Sequence, residues 1–275
     1  MRASVALHLF GIVALLFASG CTAGVATLQP ATVRGAGEVE ASAGLAVHVP
    51  VENTAALLKT ALDGVKNNYA TNPNYAPTES DRAAFGKAAV GLFFNPPAAQ
   101  TEFAGRVGVG KKIDLGIRLS GRALHLQGKW QFLDGSASKG WDGALVLGAF
   151  GQVYSTDVTV SDFTVASYAT SHIGGDASVL FGKKYGDYGF FWAGPRYQIQ
   201  RTAAAITVLN GVGLDVSTGS HLFGAVVGGA VGYKYVYFMA ELTGGYVACK
   251  PEVLGTTYNV GGTLLVPAFG LLGRF

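Results

Sequence analysis

The sequence predicts an all-β protein that crosses a membrane as a closed, antiparallel up-and-down barrel. Of its 275 residues 49% are hydrophobic and only 13% are charged, a charge content well below that of soluble domains. Beyond the N-terminal segment no run of about 18 apolar residues occurs, so helical spans are not expected. Hydrophobic and polar residues instead alternate in segments of about ten residues. Without membrane helices, only a closed barrel pairs all backbone groups in lipid.

The first twenty residues have the order of a secretory signal peptide. Arg2 supplies a positive charge, residues 3–17 are almost wholly apolar, and small residues follow up to Gly20. This apolar stretch is too short for a membrane-spanning helix. We therefore expect residues 1–20 to be a signal peptide and the rest of the chain to be exported.

The sequence LFASGC, which ends at Cys21, resembles the lipobox of bacterial lipoproteins. In that family the cysteine is acylated and becomes the first residue of the mature chain. Ala18 stands where the family usually has leucine, and ordinary cleavage near Gly20 is the alternative. The resemblance implies lipidation at Cys21, and residues 21–35, rich in Ala, Thr and Gly, are then expected to form a lipidated tether. Acylation would leave Cys249 without a disulfide partner.

The alternation predicts about ten strands, with eight to twelve left open. The clearest run places Ile113, Leu115 and Ile117 on one face and Asp114 and Arg118 on the other. The ten segments are 36–49, 99–109, 112–120, 122–133, 141–153, 174–184, 187–200, 219–233, 235–247 and 257–275. Two further stretches, 156–168 and 203–216, could pair as additional strands.

The connections between these strands predict the orientation of the barrel. With ten strands and both ends in the periplasm, all the periplasmic turns are short. The long connections then all face outward, as in bacterial barrels. They are 50–98, 154–173, 201–218 and 248–256.

The first long connection, 50–98, is expected to be partly helical. Apolar residues at helical spacing predict an amphipathic helix over 52–68, and a second short helix is expected over 80–89. Two interpretations remain open: a lid or plug over the barrel mouth, and a helix lying on the rim.

The end of the chain carries a second resemblance. Phe275 closes an alternating strand and resembles the C-terminal signal of outer-membrane barrels, which the barrel assembly machinery reads. The stretch from Val107 to Phe132 and the ending VPAFGLLGRF are similar to uncharacterised outer-membrane β-barrel lipoproteins of bacteria. The resemblance implies a barrel domain over 36–275, an outer-membrane location with a lipid anchor at Cys21, and contact with outer-membrane lipid. It implies no activity.

Strand alternation points one set of polar side chains into the barrel. A charge on the lipid face costs about 2–4 kcal/mol at mid-bilayer, so these side chains are expected to face the lumen. They are Glu40, Glu102, Arg106, Asp114, Arg118, His125, Lys129, Arg196 and Glu241. Three interpretations remain: a salt-bridged filling, a narrow pore or binding cavity, and a catalytic site in which His125 pairs with Asp114 or Glu102. Side chains just fill a barrel of about eight strands, and ten strands leave more room.

Motifs for catalysis, metal binding and nucleic-acid binding are missing from the sequence. Neither a Gly-x-Ser-x-Gly elbow nor a His-Glu-x-x-His zinc site occurs. Residues 105–111 fit the start of a phosphate-binding loop, but Lys112 stands where Ser or Thr is required. The net charge of +3 is too small to indicate nucleic-acid binding. We therefore expect no catalytic residue, metal or cofactor.

The function expected from the sequence is a non-enzymatic one. We expect a structural or binding role through the outer loops, with an unknown ligand. The alternatives are a narrow, porin-like channel for small solutes or ions and a small-barrel lipid-modifying enzyme. A channel requires a continuous water path past the inward charges, whereas an enzyme requires reactive groups open to lipid.

Overall fold

A computed structural model of the chain describes residues 24–51, 97–135, 140–160, 163–208, 212–253 and 256–275. Within these ranges all regular secondary structure is β. The strands are β1 (Val39–Pro50), β2 (Ala98–Gly108), β3 (Ile113–Ser120), β4 (Ala123–Leu133), β5 (Trp141–Val160), β6 (Phe163–Tyr185), β7 (Gly189–Val208), β8 (Val212–Tyr233), β9 (Val236–Cys249), β10 (Glu252–Val253), β11 (Thr256–Thr257) and β12 (Gly262–Arg274).

Three sequence-based predictions fall elsewhere in the chain. The signal peptide over 1–20, the acylated Cys21 and the helices over 52–68 and 80–89 lie outside the described residues. Among the described residues, no helix has the length and hydrophobicity to cross a membrane.

Ten of the strands close into one antiparallel barrel, and β10 and β11 form a separate two-stranded hairpin. Each barrel strand pairs with the barrel strands before and after it, and β1 closes the ring against β12. At this seam Val39 and Phe275 exchange two backbone hydrogen bonds of 2.8 Å each. The predicted fold class, an up-and-down membrane-spanning barrel of about ten strands, is confirmed.

Short turns join the strands at the end of the barrel that carries Val39 and Phe275. They comprise 109–112, 134–140, 186–188 and 234–235. The last is tight enough to hold Lys234 at a φ of 55°. Since bacterial barrels keep their short turns in the periplasm, we infer that this is the periplasmic end and that the opposite end is the outer one.

The barrel wall has very different heights on its two sides. Strands β2, β3 and β4 have 11, 8 and 11 residues and form what we call the low wall. Strands β5 to β8 have 20, 23, 20 and 22 residues and form the tall wall. The stretches 156–168 and 203–216 therefore do not add strands. They lengthen two hairpins, whose pairing continues to Val160–Phe163 and Val208–Val212.

The outer face of the barrel carries an apolar band, and on the tall wall this band ends partway up. On β6 and β7 its upper limit lies at Ile173 and Ile199, both outward and exposed. The next outward residues, Ser171 and Arg201, are polar and also exposed. Because a charge such as Arg201 is costly inside lipid, we expect the strands above this level to lie outside the bilayer.

Candidate functional site: the barrel interior

A stretch of the N-terminal region lies inside the barrel. Residues 24–34, which we call the lumenal segment, start beside Ser120 at the outer end of β3 and finish near its periplasmic end. There the Arg34 backbone N–H donates to Asp114 at 2.9 Å. Residues 25–29 are at most 2% exposed. The described part of the expected tether, 21–35, thus runs through the lumen.

Glu241 on β9 holds the middle of the lumenal segment. Its Oε1 accepts a hydrogen bond of 2.7 Å from the backbone N–H of Thr27. Its Oε2 accepts hydrogen bonds from the Thr27 hydroxyl at 3.0 Å and from the Trp192 indole N–H at 3.2 Å. One buried carboxylate therefore joins the segment to β9 and β7.

Two basic side chains of the low wall bind backbone carbonyls of the lumenal segment. Arg118 donates to the carbonyl oxygen of Gly24 at 2.9 Å and also to that of Ala26. Lys129 donates to the carbonyl oxygen of Thr32 at 2.8 Å. Buried carbonyls outside a regular ladder need such donors, because an unpaired one costs free energy. These inward charges therefore stabilise the position of the segment.

Near the periplasmic end, buried charges form a lower cluster. Glu40 lies between two guanidinium groups, 2.9 Å from Arg106 and 2.8 Å from Arg274. Lys129 lies 3.4 Å from Asp114. All five side chains are at most 5% exposed. Because burying an unpaired charge costs much free energy, charged side chains as buried as these require such ion pairs.

Near the outer end of β3, an upper cluster is centred on Asp176 of β6. One of its carboxylate oxygens lies 3.9 Å from Arg118, 3.8 Å from Arg196 and 3.8 Å from His125. Glu102 adds a second carboxylate, 3.7 Å from Arg118. The upper cluster, like the lower one, therefore pairs carboxylates with basic side chains in the barrel interior.

Above the upper cluster, hydrogen-bonded polar side chains line the tall wall. His172 Nδ1 lies 2.9 Å from the Thr202 hydroxyl and 3.1 Å from Gln200 Nε2, and its Nε2 lies 3.2 Å from the Thr170 hydroxyl. All four side chains are buried. Partners for these polar groups thus come from the barrel itself.

The structure places every polar residue predicted to face the lumen in the interior, none more than 5% exposed. Four of them lie in the lower cluster, namely Glu40, Arg106, Asp114 and Lys129. Four lie in the upper cluster, namely Glu102, Arg118, His125 and Arg196. Glu241 instead holds the lumenal segment.

Three important interior residues were missed from the sequence: Asp176, Arg274 and Trp192. The signal for Asp176 was present, since Asp176, Ser178 and Leu180 alternate inward along β6. Nothing local indicates that Trp192 faces Glu241, because the two residues lie 49 positions apart.

The surroundings of His125 differ from those considered from the sequence. His125 lies against Arg118, 2.9 Å away, and Asp176, and its ring packs on Phe150 with centroids 4.8 Å apart. Its partners are therefore not the two acidic residues considered from the sequence. Within the described ranges, no three His, Cys, Asp or Glu side chains are grouped to hold a metal ion.

Comparison with known proteins finds structural neighbours but no family model or curated relative. No protein-family model matches the chain, and no curated protein matches it in sequence. Among solved structures it is similar to Ail, the attachment invasion locus protein of Yersinia pestis, with 11% identity, a TM-score of 0.35 and coverage of 87% of this chain and 99% of that one.

Two further solved structures have similar identities and TM-scores. Neisserial surface protein A has 12% identity and a TM-score of 0.32, over 86% of this chain and 96% of that one. CarO of Acinetobacter baumannii has 12% identity and a TM-score of 0.31, over 64% of this chain and 96% of that one.

Proposed function

We propose that the protein is an outer-membrane barrel with a sealed lumen and a structural or binding role. The observation that carries this proposal is the lumenal segment, which occupies the interior along the length of β3. Around it the inward charges are paired with one another or with the segment. A pore lining would instead expose such charges to a water path.

The part of the tall wall above the apolar band is the surface we assign to this role. About 9–11 residues suffice for a strand to cross a membrane, whereas β6 has 23 and β8 has 22. The two hairpins β5–β6 and β7–β8 therefore extend well past the bilayer on the outer side. A protein that binds through its outer end needs such a platform beyond the membrane.

We also propose that Cys21 is acylated, on the basis of its lipobox-like sequence. One acyl chain alone binds a bilayer only weakly, so lipidated proteins need a second anchor. The barrel supplies that anchor here. Lipid and barrel would together hold both ends of the mature N-terminal region in the outer membrane.

Ion conductance in a planar bilayer tests the sealed lumen. We expect the purified, folded protein to be silent and a variant lacking residues 24–34 to show discrete conductance steps, because deletion removes the chain that fills the lumen. Glu241→Ala is a milder variant. It leaves the Thr27 amide without its acceptor, and we expect brief openings as the segment loosens.

The matched control is Thr27→Val, which loses the hydroxyl contact but keeps the backbone N–H that binds Glu241. This variant should remain silent. Steady conductance by the unmodified protein would contradict the proposal. So would silence of both the folded deletion variant and Glu241→Ala. If the deletion variant does not fold, Glu241→Ala alone decides.

A further inference from the structure

We propose that the lipid on Cys21 lies in the outer leaflet of the membrane, beside the low wall, and not in the periplasmic leaflet. The inference rests on the acylation proposed above. It follows from the direction in which the lumenal segment runs and from the place where its N-terminal end lies.

The lumenal segment rises from the periplasmic end toward the outer end as it is followed back to Gly24. Arg34 and Thr32 bind Asp114 and Lys129, a cross-strand pair near the periplasmic end of β3 and β4, whereas Gly24 binds Arg118 near the outer end of β3. The N-terminal end of the segment is thus its outermost point.

Gly24 lies directly behind the rim of the low wall. A Cβ atom built on Gly24 would be 2.8 Å from Ser120 Cβ and 2.6 Å from the His125 ring. Ser120 is the last residue of β3, and β4 begins at Ala123, so within the described part of the chain a tight turn ends these two strands just above this point. The tall wall, in contrast, continues far beyond this level on the other side of the barrel.

The chain between Gly24 and Cys21 is short, and its length limits which leaflet of the membrane the lipid on Cys21 can reach. A fully extended chain covers at most about 3.6 Å per residue, so these three steps span at most about 11 Å. That length can cross the rim of a single sheet. Residues 24–34 are needed to span the lumen between the outer end and the periplasmic end. Three residues are too few to return over the same distance.

The membrane-facing surface below this rim suits acyl chains. Leu119 and Leu124 lie just below the turn, facing outward and exposed. Further down, the outward glycines Gly105 and Gly128 leave a groove of about 670 Å³ beside Ile117 on the same wall. We assign the lipid of Cys21 to this strip of the low wall.

Photocrosslinking within the lipidated protein tests the position of the lipid. Cells expressing the full chain would incorporate an alkyne-tagged fatty acid that carries a diazirine near its carboxyl end. After irradiation of the intact outer membrane, mass spectrometry identifies the peptides joined to the peptide that starts at Cys21. We expect these crosslinks to map to Leu119, Leu124 and their neighbours at the outer end of β3 and β4.

The control is Cys21→Ser, which removes the thiol that is acylated and should abolish these crosslinks. Crosslinks to periplasmic-end residues such as Val109 or Trp130 would overturn the proposal. Absence of any acyl group on Cys21 would also overturn it. The conductance experiment still reports the sealed lumen in that case, so failure of the lipid position and failure of the sealed barrel are distinguishable.

Discussion

At the scale of single residues, a large inward side chain on one strand fills the interior by packing over a glycine on the neighbouring strand. Trp192 on β7 is directly opposite Gly228 on β8, and its side chain is fully buried in the lumen. A Cβ atom at Gly228 would overlap the indole ring. Trp192 can therefore reach Glu241 only because residue 228 has no side chain.

Adding one methyl group at Gly228 should destabilise the barrel. Overpacking of a filled interior costs about 1–3 kcal/mol, so we expect Gly228→Ala to lower the free energy of unfolding by that amount. Gly229→Ala is the matched control, because a Cβ atom there meets only the Phe190 carbonyl oxygen at 3.5 Å. Urea unfolding in detergent micelles gives both values. Equal stability of the two variants would contradict the packing argument.

At the scale of elements, β6 shows how one strand serves two environments. Its outward residues are apolar from Phe181 up to Ile173, and the first polar one above them is Ser171. The hydrogen-bonded ladder with β5 and β7 continues unchanged through this boundary. The strand therefore leaves the lipid through a change in its outward side chains, while its backbone pairing continues.

Arginine substitutions along β6 should locate this boundary. Val179→Arg puts a charge on the lipid face in the middle of the apolar band, and we expect a loss of about 2–4 kcal/mol in folding free energy. Ser171→Arg, on the same face but above the band, should cost less than about 1 kcal/mol. Folding titrations into lipid vesicles measure both. A large loss for Ser171→Arg would mean that the bilayer extends higher than proposed.

At the scale of the whole molecule, a buried carboxylate lies at the seam that closes the barrel. Glu40 of β1 binds Arg274 of β12 and Arg106 of β2, so one carboxylate joins three strands. Removing one member of a buried pair leaves an uncompensated charge, at a cost of about 3–5 kcal/mol. The seam is therefore sensitive at this position.

Two glutamates of the same region allow a matched test. Glu40→Gln should lower the stability of the barrel by about 3–5 kcal/mol, because two buried guanidinium groups lose their counter-ion. Glu38→Gln removes the half-exposed partner of Arg34 and should change stability by about 1 kcal/mol or less. The temperature at which the fast-migrating folded form disappears on a gel reports the difference. Equal transition temperatures would show that the buried pairs contribute nothing to closure.

Much of the fold could be predicted from the sequence because the side-chain period of a strand is local. The side chains of Ile113 to Arg118 face the lipid and the lumen in turn. The same alternation is visible in the sequences of the other barrel strands. The composition then requires a membrane barrel, and short turns predict its orientation. The lengths of the strands are harder to predict, because no turn residue marks the point at which β5 and β6 leave the bilayer.

The contents of the lumen, in contrast, were decided only by the tertiary structure. Residues 24–34 show no alternation that would place them inside or outside, and they read as a tether. Their partners are distant in sequence: Thr27 and Glu241 lie 214 positions apart, and Arg118 and Gly24 lie 94 apart. The sequence by itself determined a barrel with charges facing inward. Only closure of the barrel created the buried acceptors and donors that bind this segment, and so determined that the interior is occupied.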